Sequence, residues 1–370
     1  PFDSRWQPMA GQAWCRPVYP PHPSPRNPLA LGSAGSSAES NDHLFIIAAS
    51  ILLFLSAISV SIAYRLRPGF RYYWLALTAS TGISWLLVLL NSLSLPMETR
   101  LLSWEALGLI HVSPAVLVDQ ISWSLALALA ALPLAILLTS PVRTANPSPL
   151  VWAGILAVTS AGLLAVTAGN PVTLLLAWVI IDITELFILL GQVQRSAERV
   201  RIASAYLPKM LSILLVLLAI LEAQSGGIRL GLLAIPPSVN LYLFLAAALR
   251  LGVLPLHLPF LTELQLRRGL GIALRLVPAA ASLSLLARTA VDGIPANWQN
   301  LVLALAGLAG IYGGLSWLFA ADELDGRPFW LLGITALAVA SAALALPEAS
   351  LGWALIAILP GSALFLASHY

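Results

Sequence analysis

The sequence predicts an all-α polytopic membrane protein with about eleven transmembrane helices, one of them broken, and a short outer β-hairpin. Hydrophobic residues make up 59% of the chain and charged residues 9%, whereas about a quarter of the residues in a soluble domain are charged. The mean hydropathy is +0.88. Apolar runs of about 20 residues, the length that crosses a bilayer, recur along the chain between Pro, Gly and Arg.

Residues 1–42 differ from the rest of the chain. They are rich in proline, and a stretch of Gly, Ser and Ala follows at 31–40. Such a composition cannot bury a core. We therefore expect an extended arm or linker over 1–42 and a transmembrane domain over 43–370. An unstructured leader and an arm that binds a partner are both open for the first segment.

The apolar runs give the predicted spans. They are 43–63, 72–94, 118–139, 149–168, 171–192, 205–223, 240–257, 270–288, 298–320, 329–346 and 350–368. Residues 101–119 are too short and too interrupted to span, so they predict a β-hairpin or interfacial segment on the outer face. Pro255 and Pro259 each remove a helix hydrogen bond, so the segment 240–260 predicts a broken helix.

Arginine is distributed unevenly between the loops. Assigning loops alternately to two sides places on one side Arg65, Arg67, Arg71, Arg143, Arg195, Arg199, Arg201, Arg267, Arg268 and Arg327. The other side receives only Arg100, Arg229 and Arg288. By the positive-inside rule the first side is cytoplasmic. We expect a bacterial-type inner membrane protein with its N-terminus outside and its C-terminus in the cytoplasm, and the pI near 9.3 then reflects topology, not a nucleic-acid partner.

Ionisable residues interrupt several predicted spans. Such groups are costly in hydrocarbon and are by default candidates for a functional site. The candidate proton or ion path consists of Asp182, Glu185, Lys209, Arg250, His257 and Arg275.

Each of these residues also has a structural interpretation. Asp182 and Glu185 could form polar contacts between helices, with Arg250 as their buried partner. His257 could anchor the helix break. Lys209, the only lysine, follows Pro208 near the arginine-rich side, which favours a side chain that snorkels to the membrane surface. Asp119 is expected to cap a helix and anchor the hairpin.

Other kinds of site are missing from the sequence. Cys15 is the only cysteine, which excludes an internal disulfide and a cysteine-based metal or iron–sulfur site. No Gly-rich phosphate loop, Ser/His/Asp set or metal-ligand cluster occurs. We therefore predict no catalytic residue, cofactor or metal in this chain, and any redox cofactor would belong to a partner.

Several segments resemble the antiporter-like subunit family, the proton-translocating membrane subunits of respiratory complex I, membrane-bound hydrogenases and multi-subunit cation/proton antiporters. Residues 103–123 resemble the outer hairpin that leads into the family's third helix. Asn170 to Leu190 resembles its fifth helix, and Leu254-Pro-Leu-His257 matches its broken seventh helix most specifically. Residues 321–328 resemble a family loop. The resemblance covers 43–370 and is strongest to the largest complex I antiporter-like subunit.

The chain departs from the family at its ionisable positions. Val179 stands where the family has a Glu, and Asp182 lies about one helical turn further on. Arg250 replaces a Lys and cannot give up its proton at accessible pH. Arg275 is merely near the position of a family His, and Ser362 lies where the family has His and Lys. The resemblance thus implies a shortened and altered member.

The resemblance implies a function as well as a fold. It implies a subunit without catalytic residues of its own in an assembly related to NADH:quinone oxidoreductase, where it moves protons or cations in a bilayer beside other membrane subunits. Two alternatives are a scaffold that no longer pumps and a subunit for energised inorganic-carbon uptake. The cytoplasmic partner of the proton- or cation-moving subunit would be a redox protein. In inorganic-carbon uptake it would be a zinc protein.

Overall fold

A computed structural model describes residues 45–68, 70, 72–100, 112–142, 148–192, 196–228, 230–258 and 268–367. Its elements are α1 (Phe45–Leu66), α2 (Tyr73–Leu90), β1 (Met97–Arg100), β2 (Ala115–Val118), α3 (Gln120–Thr139), α4 (Pro149–Val166), α5 (Pro171–Gln192), α6 (Ser196–Ala205), α7 (Leu207–Ser225), α8 (Pro237–Arg250), α9 (Arg268–Thr289), α10 (Ala296–Leu318), α11 (Glu323–Ala343) and α12 (Pro347–Ala367). The predicted arm over 1–42 lies outside the described residues.

The chain is a multi-pass membrane protein. Within the described residues, nine helices are long and apolar enough to cross a bilayer. The 14-residue α8 is shorter than the roughly 20 residues that span hydrocarbon. With α12, these helices account for every predicted span, which confirms the fold class. The short α6 was not predicted, because its sequence carries Glu198, Arg199 and Arg201 in place of an apolar run.

A hairpin is present as two antiparallel strands, with Met97 opposite Val118 and Arg100 opposite Ala115. Its second strand lies within the predicted segment 101–119, and its first strand lies just before that segment. The stretch 101–111 between the strands lies outside the described residues. Backbone hydrogen bonds join β2 to the loop that precedes α5, from Leu117 N–H to the Thr167 carbonyl (2.8 Å). The hairpin therefore marks one face of the bundle, the hairpin face, and α5 begins there.

Asp119 caps α3, as the sequence predicted. Its carboxylate accepts from the Ser122 N–H (2.9 Å) while the Ser122 hydroxyl accepts from the Asp119 N–H (2.9 Å), a reciprocal capping box. The same carboxylate accepts from Arg288 (3.0 Å), whose other terminal nitrogen donates to the Leu232 carbonyl (3.2 Å). One ion pair thus holds the hairpin, α3 and the end of α9 together.

Helix α9 is the centre of the bundle and α10 is at its edge. Every residue of α9 from Gly269 to Thr289 is buried except the partly exposed Arg275, and the helix packs against α3, α4, α5, α8, α11 and α12. Helix α10 packs mainly against α11 and leaves large apolar side chains exposed. At this contact the backbones come close: a Cβ on Gly313 would lie 2.7 Å from both the Gly333 nitrogen and the Phe329 oxygen.

We expect Gly313→Ala to destabilise the protein by about 1–3 kcal/mol because the new methyl group meets backbone, which cannot move aside as a side chain can. The matched control is Gly314→Ala. A Cβ there has no neighbour within 4 Å, so the higher helix propensity of alanine should leave stability equal or raise it by up to about 1 kcal/mol. Thermal unfolding midpoints in one detergent measure both. Equal midpoints for the two variants would contradict the close α10–α11 packing.

Candidate functional site

Helix α5 carries two carboxylates to the interior of the membrane region. At 1.5 Å per residue, Asp182 lies about 16 Å from the start of α5 at the hairpin face. Asp182 is 2% exposed and Glu185 4%. They are three residues apart, so they share one face of the helix, and Trp178 lies on that face one turn earlier. Both acids are therefore buried where water does not stabilise charge, and each needs a partner.

Helix α8 stops inside the membrane region and presents Arg250 as its last residue. The break begins just after Arg250, where Gly252 takes a left-handed conformation (φ 78°) and the Val253 N–H donates to the Ala248 carbonyl (3.1 Å). The predicted break is present, but it lies before Pro255, and Pro259 lies outside the described residues. Glycine accepts the left-handed conformation at position 252 without strain. A cation in the last turn also opposes the negative end of the helix dipole.

Arg250 and Asp182 form a two-pronged ion pair. The Arg250 Nη2 donates to Asp182 Oδ1 at 2.6 Å and Nη1 donates to Oδ2 at 2.8 Å. The guanidinium also stacks on Trp178, with its Cζ 4.4 Å from the ring centroid, and its Nη1 lies 3.4 Å from the Ser212 hydroxyl. This fork geometry, with both partners at most 4% exposed, fixes α5 against the end of α8.

Lys209 does not snorkel to the surface, contrary to the sequence interpretation. It is 4% exposed, and its Nζ lies 2.6 Å from Glu185 Oε2 and 3.9 Å from Asp182 Oδ1. The ring of Tyr206 covers it, with the centroid 4.5 Å from Nζ. The reason is the rotation of α7, which turns this face toward the two acids of α5.

Four buried ionisable groups therefore form one cluster, which we call the charged cluster: Asp182, Glu185, Lys209 and Arg250. Their formal charges sum to zero when all four are ionised. Breaking a buried pair leaves an uncompensated charge and costs about 3–5 kcal/mol. The cluster is thus stable as a balanced set, and any change in the charge of one member is felt by the others.

Three donors around the charged cluster lack a hydrogen-bond partner among the described residues. They are the Trp178 Nε1, the Tyr206 hydroxyl and the Arg250 Nε. A buried polar group without a partner is costly, and ordered water is the usual means of satisfying it. Sequence reasoning missed Trp178 and Tyr206, because aromatic residues inside apolar spans resemble ordinary core. Ser212 was missed because a single serine inside an apolar helix carries no charge to single it out.

His257 and Arg275 do not join the charged cluster in the described contacts. The His257 Nδ1 lies 2.8 Å from the Pro255 carbonyl, which accepts from it. That contact stays within the helix break and supports the anchor interpretation. Arg275, on α9, forms no described ion pair with a member of the charged cluster. Four of the six predicted path residues therefore meet, and two lie apart from them.

Comparison with known proteins shows a shared fold. No protein-family model matches the chain, and no curated protein matches it in sequence. A chain of the membrane-bound sulfane sulfur reductase, an archaeal respiratory membrane complex, matches with a TM-score of 0.68 at 14% identity, over 88% of this chain and 56% of that chain. A chain of the Mrp complex from a Dietzia species matches with a TM-score of 0.71 at 17% identity, over 86% and 37%.

The present chain thus spans about half or less of the length of these solved chains, 56% and 37%. At such low identity the likeness concerns the fold alone, which this chain shares with chains of these two membrane complexes. It agrees with the resemblance drawn from residues 43–370. The bundle that holds the charged cluster is therefore an arrangement that occurs in multi-subunit membrane complexes.

We expect Arg250→Met to lower the free energy of unfolding by about 3–5 kcal/mol, because it leaves Asp182 buried without its fork partner. The double variant Arg250→Met/Asp182→Leu should recover most of this loss, since both charges are then gone. Thermal unfolding midpoints of the wild type, the two single variants and the double variant form a double-mutant cycle. Additive losses would contradict a coupled pair.

Proposed function

We propose that this antiporter-like chain is a membrane subunit of a multi-subunit complex and that it moves protons through Glu185 and Lys209, beside a fixed Asp182–Arg250 pair. The observation that carries the proposal is the contact of 2.6 Å between Lys209 and Glu185 in the interior of the bundle. A lysine and a glutamate can each exist with and without a proton, and the charge of one controls the proton affinity of the other.

The two ion pairs have different roles in this proposal. Arginine keeps its proton at any accessible pH, so the fork between Arg250 and Asp182 holds a constant charge. Lys209 lies 3.9 Å from Asp182 and 2.6 Å from Glu185. The charge of Asp182 is balanced by Arg250, whereas the charge of Glu185 is balanced by Lys209 itself. When Lys209 gives up its proton, Glu185 loses its partner and becomes the next acceptor. Proton transfer therefore proceeds along this pair.

Water completes the proposed path. The Tyr206 hydroxyl, the Trp178 Nε1 and the Arg250 Nε have no hydrogen-bond partner among the described residues. By chain order, Tyr206 precedes Lys209 at the start of α7, and Trp178 lies between Asp182 and the start of α5 at the hairpin face. Ordered waters at these three donors would extend the hydrogen-bonded chain beyond Lys209 and Glu185. A polar chain of this kind is the usual surrounding of ionisable groups in membrane transport.

The placement of the chain in a complex is part of the proposal. The fold occurs in complexes with several membrane subunits, and α10 exposes a mainly apolar surface at the edge of the bundle. We assign the arginine-rich ends, including that of α6, to the cytoplasm of a bacterial-type inner membrane by the positive-inside rule. A cytoplasmic redox protein is the proposed coupling partner, and a zinc protein is the alternative.

One observation favours a second candidate, a scaffold that does not pump. The fork of Arg250 and Asp182, stacked on Trp178, has the geometry of a structural ion pair. If Glu185 and Lys209 are a second such pair, the charged cluster only orders α5, α7 and α8. Arg250→Met would then impair assembly without any change in pumping stoichiometry.

Two opposite exchanges of basic residues separate these candidates. Lys209→Arg keeps the charge but removes a releasable proton, so we expect proton flux in energised membrane vesicles to fall by about tenfold or more. Arg250→Lys keeps the charge of the fixed pair but loses one charge-assisted hydrogen bond of the fork, which costs about 1.5–3 kcal/mol, with flux retained. Unfolding midpoints of both variants control for general damage.

Wild-type flux in Lys209→Arg would refute the relay and leave the scaffold. A further test is Asp182→Asn/Glu185→Gln, which neutralises both acids. We expect coupled ion movement to be lost in this double variant, because no acceptor remains beside Lys209. Unchanged ion movement would overturn the transport proposal for either H⁺ or Na⁺.

We expect purification of the native complex in mild detergent to recover other membrane subunits together with this chain, because the fold occurs in such complexes. Mass spectrometry identifies every co-purifying protein. Flavin or iron–sulfur subunits would support the redox-coupled pump, and a large cytoplasmic zinc protein would move the assignment to carbon uptake. Recovery of this chain alone would contradict a complex.

A further inference from the structure

One face of α6 and α7 carries an ordered set of buried side chains. It comprises Ile202, Tyr206, Lys209, Ser212 and Val216, all buried at helical spacing. Chain order places Ile202 and Tyr206 nearest the arginine-rich ends, with Lys209 and Ser212 deeper. The aromatic ring of Tyr206 therefore lies between the buried ammonium group and that face of the bundle.

The ring is in direct contact with the group it covers. Its centroid is 4.5 Å from the Lys209 Nζ, within the range of a cation–π interaction. Tyr206 is only 7% exposed, whereas the adjacent Leu207 is 68% exposed. The ring thus stabilises the protonated amine and at the same time excludes water from one side of it.

Tyr206 is also held in a way that permits movement. Its hydroxyl has no hydrogen-bond partner among the described residues, so turning the ring away breaks no side-chain hydrogen bond. It stands between the end of α6 at Ala205 and the start of α7 at Leu207. Pro208 lies in the first turn of α7 and has no N–H, so it gives no backbone hydrogen bond from α7 back to α6.

From these contacts we infer that Tyr206 is the gate of the charged cluster, a ring that closes Lys209 off from the arginine-rich face and opens when α6 bends at the Tyr206–Pro208 junction. The gate rests on the proposed role of Lys209, since a relay must not be open to both sides at once. A movement of α6 at the membrane surface would then move the Tyr206 ring and expose the buried amine of Lys209.

The single lysine makes the gate directly measurable. Sulfosuccinimidyl acetate acetylates amines and does not cross membranes, so the peptide that contains Lys209 reports access from one side. Full-length chain in right-side-out and in inverted membrane vesicles is labelled and analysed by mass spectrometry. We expect Lys209 to be protected in the wild type and Tyr206→Ala to raise its labelling by about tenfold or more from the arginine-rich face only.

Two variants control the result. Tyr206→Phe keeps the ring, so Lys209 should stay protected in this variant. If the hydroxyl alone protected Lys209, its labelling would rise in Tyr206→Phe as well. Tyr73→Ala removes another buried tyrosine, at the start of α2, whose hydroxyl donates to the Arg67 carbonyl (2.7 Å). It should leave Lys209 protected, because α2 does not pack against α7.

Three outcomes would overturn the gate: no gain of labelling in Tyr206→Ala, an equal gain from both membrane faces, or an equal gain in Tyr73→Ala, which would mean general loosening. Labelling needs no transport, so it is independent of the flux measurements. If Tyr206→Ala exposes Lys209 while Lys209→Arg keeps wild-type flux, the ring closes the site but the proposed relay is wrong.

Discussion

The fork between Asp182 and Arg250 is the interaction on which the interior of this bundle depends. It joins the middle of α5 to the last residue of α8 by two hydrogen bonds of 2.6 and 2.8 Å. Because Arg250 satisfies the carboxylate and lies at the negative end of α8, that helix can end within the membrane region. Trp178 and Ser212 then line the guanidinium, and Lys209 is left to pair with Glu185.

Much of the charged cluster could be predicted because charge is rare in apolar spans. Asp182, Glu185 and Arg250 each interrupt a run of hydrophobic residues, and the cost of burying them requires partners. The rotation of α7 could not be predicted, since Lys209 near a helix end is compatible with both a surface and a buried position. The position of Tyr206 in the site could not be predicted from the sequence, because an aromatic side chain is stable both against lipid and in a protein core.

The fold was more accessible from the sequence than the site. Span length and composition predict the long helices, and short interrupted sequence predicts the hairpin, because these signals are local. Helix α6 was missed since a short polar helix at a membrane surface resembles a loop. His257 and Arg275 were grouped with the acids on the basis of charge alone, whereas the His257 ring contacts the Pro255 carbonyl and Arg275 forms no described ion pair with the charged cluster.

The nearly complete burial of α9 has a consequence for biosynthesis. Of the helices that enclose it, α3, α4, α5 and α8 precede it in the chain, and α11 and α12 follow it. When α9 leaves the translocon, part of its surface must still face lipid, and Arg275 and Arg288 lie on that helix. Helix α9 is therefore fully enclosed only after α12 has been inserted. Until then it packs against the earlier helices on one side and faces lipid on the other.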